Sequence, residues 1–156
     1  MKRGNEMVDI LRDIGVIARS LDSIANIEFK ELNLTRGQYL YLVRIKENPG
    51  IIPDNLSEII KVDRTTVSRA IQKLERNKLI EKRADSVNKK IKRLFTTTKG
   101  DELARYIVKE NNYSNKVALK DLSDEEVENF SRILNRIKQN TECDWDYVKK
   151  GNKRNY

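Results

Sequence analysis

The sequence of 156 residues contains no histidine and a single cysteine, Cys143. Histidine is the commonest general base and metal ligand, so its absence excludes histidine-based hydrolase triads and histidine-rich zinc sites. A lone cysteine cannot form a disulfide within the chain. The sequence also has no glycine-rich phosphate loop. These absences predict a protein with no catalytic residues, no bound metal and no cofactor.

Proline, glycine and long apolar runs are also scarce. Two prolines and six glycines are too few for a turn-rich sandwich of strands. The longest uninterrupted apolar run is the five residues from Tyr39 to Val43, whereas a membrane span needs about 18. Acidic residues interrupt the N-terminus where a signal peptide would be apolar. We therefore expect a mainly helical protein with no membrane partner, located in the cytoplasm.

Positive charge is abundant, and it is concentrated in one part of the chain. The net charge is +8, yet residues 1–60 carry net −1 and residues 100–156 are neutral. Residues 61–99 carry 13 basic and 4 acidic side chains. A solvated exterior intersperses both signs, whereas a surface that binds a polyanion gathers one sign. The distribution favours a nucleic-acid-binding segment.

Hydrophobic spacing and end signals predict the two outer helical regions. Apolar residues recur every three or four positions from Met7 to Ala25, which predicts a long amphipathic first helix. Thr97 or Thr98 can cap a fifth helix, and Ser123 with Glu126 forms a capping box for a sixth. We expect the apolar side of the sixth helix to face inward. Its members are Val127, Phe130, Ile133, Leu134 and Ile137.

Three shorter helices are predicted between these regions. Thr35 and Gln38 have capping-box spacing for a second helix that ends at the turn 48–50. Pro53 suits the first position of a third helix, and Asp63 suits the N-cap of a fourth that ends near Arg76. Two short strands, 79–84 and 92–96, then flank a polar tip and form a hairpin.

The order of these elements is that of a winged helix-turn-helix, with the fourth helix as the candidate for the DNA major groove. Its first two turns present polar side chains opposite an apolar stripe. Arginine can bond guanine twice, and serine or threonine can contact bases or phosphates. The predicted contacts on this helix are Arg64, Thr65, Thr66, Ser68 and Arg69, with Lys73 and Arg76 better placed for the backbone.

The segment Asp63-Arg-Thr-Thr-Val-Ser-Arg-Ala-Ile-Gln-Lys-Leu-Glu75, followed by Leu79-Ile-Glu-Lys, Leu94-Phe-Thr and Lys99-Gly100, resembles the MarR family of bacterial transcriptional regulators. The resemblance covers residues 8 to about 140. It implies one domain over residues 1–156. Residues 1–34 and 101–150 would supply the dimerisation helices, and residues 35–100 the DNA-binding lobe, with the helix-turn-helix at about 53–76 and the wing at about 79–96.

The resemblance also implies a mode of action. Family members form homodimers that bind a pseudo-palindromic duplex operator, they usually repress, and many respond to small phenolic or lipophilic effectors. Three tyrosines, Tyr39, Tyr41 and Tyr106, are candidates for an effector pocket, although packing in the core or the interface is the favoured interpretation of each. Trp145 and Tyr147 are interpreted as packing at the dimer interface.

Two departures from the family pattern affect the DNA-binding lobe. Where the wing commonly has Asp followed by Arg, this chain has Asn88 and Lys89, with Lys90 next. Lysine lacks the planar fork of arginine, so we expect the wing to add affinity more than sequence choice. The family also tends to have glycine at the position of Lys78. We expect the left-handed residue that ends the fourth helix to be Asn77 instead.

Other functional classes remain open from the sequence. The same basic segment suits a non-specific or architectural DNA-binding protein, and the helices suit an adaptor that has lost its DNA role. Cys143 has acidic neighbours in sequence, which disfavours a reactive thiol. An enzyme is the least supported class.

Overall fold

The computed structural model describes residues 9–34 and 37–156, and this part of the chain contains six α-helices and one two-stranded hairpin. A single 3₁₀ turn, Lys30–Leu32, follows the first helix. The elements are α1 (Ile10–Glu28), α2 (Gln38–Glu47), α3 (Pro53–Ile60), α4 (Arg64–Arg76), β1 (Ile80–Ala84), β2 (Lys92–Thr96), α5 (Thr98–Ala118) and α6 (Asp124–Lys149). The predicted fold class, a mainly helical winged helix-turn-helix, is confirmed.

Side chains define the starts of three helices as predicted. The Asp63 carboxylate accepts the N–H of Thr66, and Ser123 forms a reciprocal capping box with Glu126. The Gly100 N–H donates to the Thr97 hydroxyl at 3.1 Å. The capping box predicted for α2 needs Thr35, which lies outside the described residues. At Gly37, the N-cap of α2, the backbone is left-handed with φ 73°.

The core is built by α2, α3, α4, the hairpin and the ends of α1 and α5, and we call this part of the chain the lobe. Tyr39, Leu42, Val43 and Ile45 of α2 are buried as predicted. The largest fully buried side chains are Phe29, Leu34, Leu42, Ile45, Leu56, Leu74, Leu79, Leu94, Ile107 and Val67. This packing fixes α4 against the rest of the lobe, so its opposite face is presented on a rigid support.

The hairpin gains a third segment that the sequence did not indicate. β1 and β2 are antiparallel, with Ile80 opposite Thr96 and Ala84 opposite Lys92. Ile51, in the loop before α3, also bridges to Leu94 of β2. The Leu94 N–H donates to the Ile51 carbonyl at 2.9 Å, and the Gly50 N–H donates to the Leu94 carbonyl at 2.8 Å. The wing is therefore fastened to the loop that leads into the helix-turn-helix.

The end of α4 corrects one prediction. Asn77 has φ −78°, and the left-handed residue is Lys78, with φ 57°. The Lys78 N–H donates to the Glu75 carbonyl and the Leu79 N–H to the Leu74 carbonyl, both at 2.9 Å. These two bonds form a C-cap that places the left-handed residue immediately after the cap residue. Because Arg76 is the last residue of α4, Asn77 is the C-cap and the next residue, Lys78, adopts the left-handed conformation.

The apolar side of α6 corrects another prediction. The structure divides after Ser114 into two compact units, and α6 belongs to the second. Within the single chain its side chains are not inside, since Phe130 is 48% exposed and Ile133 is 44% exposed. In the first unit, α1 also presents apolar side chains to solvent. They are Ile10, Leu11, Val16, Ile17, Leu21, Ile24 and Ile27. No helix in the described ranges is long and apolar enough to cross a bilayer.

Candidate nucleic-acid interface

The N-terminus of α4 is held by Asp63. Its carboxylate accepts the Thr66 N–H at 2.9 Å and the Thr66 hydroxyl on its second oxygen. These bonds stabilise the charged form, so the pKa of Asp63 lies below its usual value, with the Thr66 hydroxyl as the largest cause. The cap fixes where the first turn of α4 begins.

The predicted polar face of α4 exists as one surface. Val67, Ala70, Ile71 and Leu74 are buried. The predicted contacts of the first two turns are all exposed, namely Arg64, Thr65, Thr66, Ser68 and Arg69. Arg76 is also exposed, and Lys73 is half-buried. Thr65, Ser68, Arg69 and Arg76 lie on the side of α4 opposite its buried stripe, and the other candidates lie at the flanks of this face.

Two of these side chains are engaged within the protein. Arg64 forms an ion pair with Asp54 of α3 at 3.2 Å, although both side chains are more than half exposed. The Thr66 hydroxyl belongs to the cap. The side chains of Ser68 and Arg69 bond to no residue in the described part of the chain, so they are available to an external partner. An exposed ion pair such as Arg64 with Asp54 contributes little and exchanges readily.

Sequence reasoning missed Gln72. It is exposed on α4, one turn beyond Ser68 and Arg69 and one turn before Arg76, so it continues the same face. A glutamine amide can bond adenine twice in the major groove. The signal was present in the sequence, because positions 65, 68, 69, 72 and 76 follow the three-and-four spacing of a single helix face.

The wing tip, residues 85–91, is closed by its own backbone. The Asp85 N–H donates to the Ile91 carbonyl at 3.0 Å, and the Ile91 N–H donates to the Asn88 carbonyl at 2.9 Å. The Asn88 side-chain oxygen accepts the Lys90 N–H at 3.1 Å. Lys89 and Lys90 are exposed. Asn88 therefore shapes the tip, and the two lysines carry its positive charge.

A second pair missed from the sequence supports this tip. Asp85 is only 8% exposed and accepts the N–H groups of Val87 and Asn88, each at 2.9 Å. Arg93 donates to the same carboxylate and to the Gly50 carbonyl at 3.0 Å. The Asn88 N–H, then Arg93 and Val87, lower the pKa of Asp85 to about 2. An aspartate at a strand end beside a polar tip is the only signal for this arrangement in the sequence.

Further contacts fix the wing relative to α4. Lys82 of β1 pairs with Glu75 of α4 at 2.7 Å. The backbone of Gly100 lies so close to Leu79 that an added Cβ would sit 1.9 Å from the Leu79 carbonyl oxygen. The Thr97 N–H donates to that oxygen at 3.0 Å. The end of α4, the wing and the start of α5 therefore meet at one junction.

Of the three tyrosines predicted for an effector pocket, two are packed against neighbouring side chains in the described part of the chain and the third lines a cavity. Tyr39 and Tyr106 lie on Phe29, with ring centroids 5.3 Å and 6.2 Å away. Tyr39 is buried, and its hydroxyl donates to Asp22; burial, with Asp22, raises its pKa. Tyr41 is also buried and its pKa is raised, chiefly by desolvation and further by the Asp63 charge.

Tyr106 is half exposed and lines a cavity of about 490 Å³. The cavity lies among the 3₁₀ turn, the end of α4 and the start of α5. Its other lining residues are Glu31, Leu32, Asn33, Asn77, Leu79, Lys99, Glu102 and Leu103. Neither Tyr39 nor Tyr41 is among them, so of the three tyrosines Tyr106 alone faces this space.

The capped helix α4, with its exposed polar face, and the lysine-tipped hairpin define a winged helix-turn-helix protein. The MarR family sequence model matches residues 34–92. An uncharacterized HTH-type transcriptional regulator of Bacillus subtilis, YybA, is 60% identical over 150 residues, which are 96% of this chain and all of the relative. The chain belongs to the MarR family of transcriptional regulators.

Solved structures support the same assignment. A putative MarR family regulator from Listeria monocytogenes, described as complexed with 26mer DNA, is 59% identical. It superposes with a TM-score of 0.92 over 96% of this chain and 100% of that one. A regulator described as SlyA is 56% identical, with a TM-score of 0.88 over 90% and 99% of the two chains.

Proposed function

We propose that this chain represses transcription as a homodimer that binds a pseudo-palindromic DNA operator. The observation that carries the proposal is the exposed polar face of α4, which lies beside a lysine-tipped wing on the most basic segment of the chain. The likeness to the Listeria regulator complexed with 26mer DNA, at 59% identity over nearly the whole chain, supports it.

In this proposal α4 enters the major groove. Thr65, Ser68 and Arg69 contact base edges or phosphates in the first two turns, and Gln72 extends the same face. Lys73 and Arg76 contact the backbone. The wing lysines, Lys89 and Lys90, neutralise phosphates near the adjacent minor groove, which adds affinity with little sequence choice.

A homodimer accounts for the apolar surfaces that the single chain leaves exposed. Large apolar side chains on α1 and α6, such as Ile17 and Phe130, are about half exposed. Apolar patches of this kind mark interfaces in soluble proteins. In a dimer, two copies of α4 about 34 Å apart enter successive major grooves on one face of the duplex.

Control by a small phenolic or lipophilic effector is part of the proposal. An effector that prefers a dimer with another separation of the α4 helices weakens operator binding, and a full switch needs about 5.5 kcal/mol of differential affinity. The cavity beside Tyr106 is the candidate site. We expect a titration with phenolic compounds to lower operator affinity. An unchanged affinity with every compound would contradict control by an effector of this kind.

No enzymatic activity is proposed, because the candidate site offers hydrogen-bond donors and charge for a polyanion and no nucleophile paired with a base. The protein is expected to act in the cytoplasm, where its DNA target would be. A DNA-binding protein without sequence preference is the alternative that the same basic surface supports.

Fluorescence anisotropy with two labelled duplexes separates these alternatives. One duplex carries the promoter region of the protein's own gene, and the other has the same length and base composition in scrambled order. We expect the promoter to bind about 10³-fold more tightly at physiological salt. Equal affinities would support the architectural alternative, and no binding to either duplex would support an adaptor.

A further inference from the structure

The wing tip is held by more than its two strands, because the side chain of Arg93 joins it to the loop before α3. Arg93 donates from one guanidinium nitrogen to the Asp85 carboxylate and from another to the Gly50 carbonyl at 3.0 Å. We refer to Gly50, Asp85 and Arg93 as the wing clamp. The Asp85 side chain is 9% exposed and the Arg93 side chain 46% exposed. The wing clamp is thus partly shielded from water, unlike the exposed ion pair of Arg64 with Asp54.

The clamp acts on the tip through Asp85. One oxygen of its carboxylate accepts the N–H groups of Val87 and Asn88, and the other faces Arg93. Asn88 in turn accepts the Lys90 N–H. The backbone that carries Lys89 and Lys90 is therefore linked, bond by bond, to Arg93. Side chains in one such network depend on one another.

The other end of the clamp is fixed to the helix-turn-helix. Gly50 has φ 83°, and an added Cβ would lie 3.3 Å from the Phe95 ring. Its N–H donates to the Leu94 carbonyl at 2.8 Å, so the loop and β2 are in direct contact. Pro53 begins α3 three residues after Gly50. The wing tip and the helix-turn-helix thus share one rigid connection.

We propose that Arg93 is a positioning residue for DNA binding: through Asp85 and Gly50 it holds the wing tip so that Lys89 and Lys90 reach the duplex while α4 occupies the major groove. The inference rests on the proposed DNA binding. It differs from a direct phosphate contact by Arg93, because Arg93 would act through the lysines. Its planar fork serves this task, since one guanidinium bonds two oxygens at fixed angles.

The test measures operator affinity by anisotropy for Arg93→Leu, with Lys92→Leu as the matched control. Lys92 is the neighbouring cation on β2, and its exposed side chain has no partner in the described part of the chain. Both variants lose one positive charge. We expect about tenfold weaker binding for Arg93→Leu and about two- to threefold for Lys92→Leu. Equal losses would overturn the inference.

A double-mutant cycle separates positioning from direct contact. With Lys89 and Lys90 already replaced by alanine, Arg93→Leu is expected to weaken binding by less than about twofold further. A loss as large as that in the wild-type background would mean that Arg93 contacts DNA itself, and would contradict the inference.

Asp85→Ala tests the role of Asp85 in the wing clamp, because positioning and charge predict opposite changes in operator affinity. Removing a carboxylate near DNA tightens binding if charge alone matters, whereas loss of positioning weakens it. We expect weaker binding, with faster amide exchange at Val87 and Asn88 in the free protein. Glu81→Ala, which removes a carboxylate from β1 without touching the tip, serves as the control. Tighter binding of Asp85→Ala would contradict the inference.

Two controls distinguish failure of the proposed function from failure of the role of Arg93. Thermal unfolding of each variant shows that the lobe is folded, and Arg69→Ala reports direct contact by α4. If the wild-type protein has no operator preference, the proposed function fails and the inference with it. If the wild type and Arg69→Ala behave as proposed while Arg93→Leu matches its control, only the role of Arg93 is wrong.

Discussion

Residues that look interchangeable in the sequence have different tasks in the first turn of α4. Thr65 and Thr66 are neighbours, yet the Thr66 hydroxyl bonds Asp63 and completes the helix cap. Arg64 and Arg69 differ in the same way, since Arg64 pairs with Asp54 and Arg69 has no partner in the described chain. The side chains ready for DNA are therefore a subset of the exposed ones.

Arg69→Ala tests the most available of these side chains. We expect operator binding to weaken by about 1 to 3 kcal/mol if Arg69 contacts a base. Arg132→Ala, which removes the same charge from α6 in the second unit, is expected to change binding by less than about twofold. Anisotropy titrations on the promoter duplex measure both, and indistinguishable variants would exclude a base contact by Arg69.

The ionisation of Asp63 gives a pH dependence with a definite sign. Its folded-state pKa lies below the usual 3.8, so the charged cap stabilises the fold above that pH and this contribution is lost as the pH falls through the lowered value. Thr66→Val removes the main cause, and we expect the measured pKa to rise towards 3.8. Carboxyl-carbon NMR titration follows it, and an unchanged pKa would contradict the assignment.

Lys78 is the residue at which strain can be relieved. Its φ of 57° costs a side chain about 1 to 2 kcal/mol relative to the right-handed region. Lys78→Gly is expected to raise the free energy of unfolding by about 1 kcal/mol, and Asn77→Gly to lower it by about 0.5 to 1 kcal/mol. Urea unfolding of the pair decides the matter, because the opposite ranking would place the left-handed residue at Asn77.

Residue-level prediction from the sequence succeeded where a signal is local. Asp63 and Ser123 cap their helices as expected, because capping depends on residues three positions apart. It failed at Asn77, where we chose the residue type that best tolerates a left-handed backbone, although the cap geometry places that conformation two residues after Arg76. It missed the wing clamp, because Arg93 also bonds the carbonyl of Gly50, in a loop 43 residues away in sequence, and such a contact leaves no local pattern.

Among the elements, β1 and α5 approach each other closely at the junction of Leu79 and Gly100. Gly100 is the third residue of α5, and its Cα faces the Leu79 carbonyl at the entry to β1. No side chain fits there without moving the backbone of one element. The wing, which follows Leu79, is set relative to α5 by this close approach.

Gly100→Ala tests that approach. An added Cβ would lie 1.9 Å from the Leu79 oxygen, so we expect a loss of about 1 to 3 kcal/mol in the free energy of unfolding. Lys99→Ala, at the exposed neighbouring position, is expected to stay within about 0.5 kcal/mol of the wild type. Chemical unfolding compares the two, and equal stabilities would mean that the junction adapts freely.

Most elements were predictable, because periodicity and end signals report helices directly. The predicted bounds of α4 and β2 match the structure, and α3 begins at Pro53 as predicted. The predicted start of the first helix at Met7 lies outside the described residues. The Ile51 bridge to β2 was not predictable, since one residue carries no alternation. The inward face expected for α6 was also wrong, because apolar spacing predicts burial without saying whether the covering surface lies in the same chain.

For the whole molecule, the exposed apolar surface favours a homodimer and the uneven charge favours DNA binding. The basic segment of residues 61–99 carries net +9 on a chain of net +8, and α1 and α6 carry the apolar faces. A homodimer would cover the apolar faces and bring two basic lobes together. Covering that surface matters for solubility, since large apolar patches promote association.

Ile17→Glu tests the dimer through α1. A charge in an apolar interface costs several kcal/mol unless it is paired, so we expect the variant to shift towards monomer at micromolar concentration and to lose operator binding. Lys120→Glu, at an exposed polar position, is expected to remain dimeric. Sedimentation velocity gives both masses. A wild-type chain sedimenting at 18.3 kDa would exclude the dimer.

Hydroxyl-radical footprinting on the promoter duplex tests the central claim most directly, namely that two copies of the α4 face and wing grip one DNA site. The account predicts two protected regions about 34 Å apart on one face of the duplex, related by a dyad. It also predicts that Arg69→Ala weakens both regions equally. A single protected region, or uniform protection along the DNA, would contradict it.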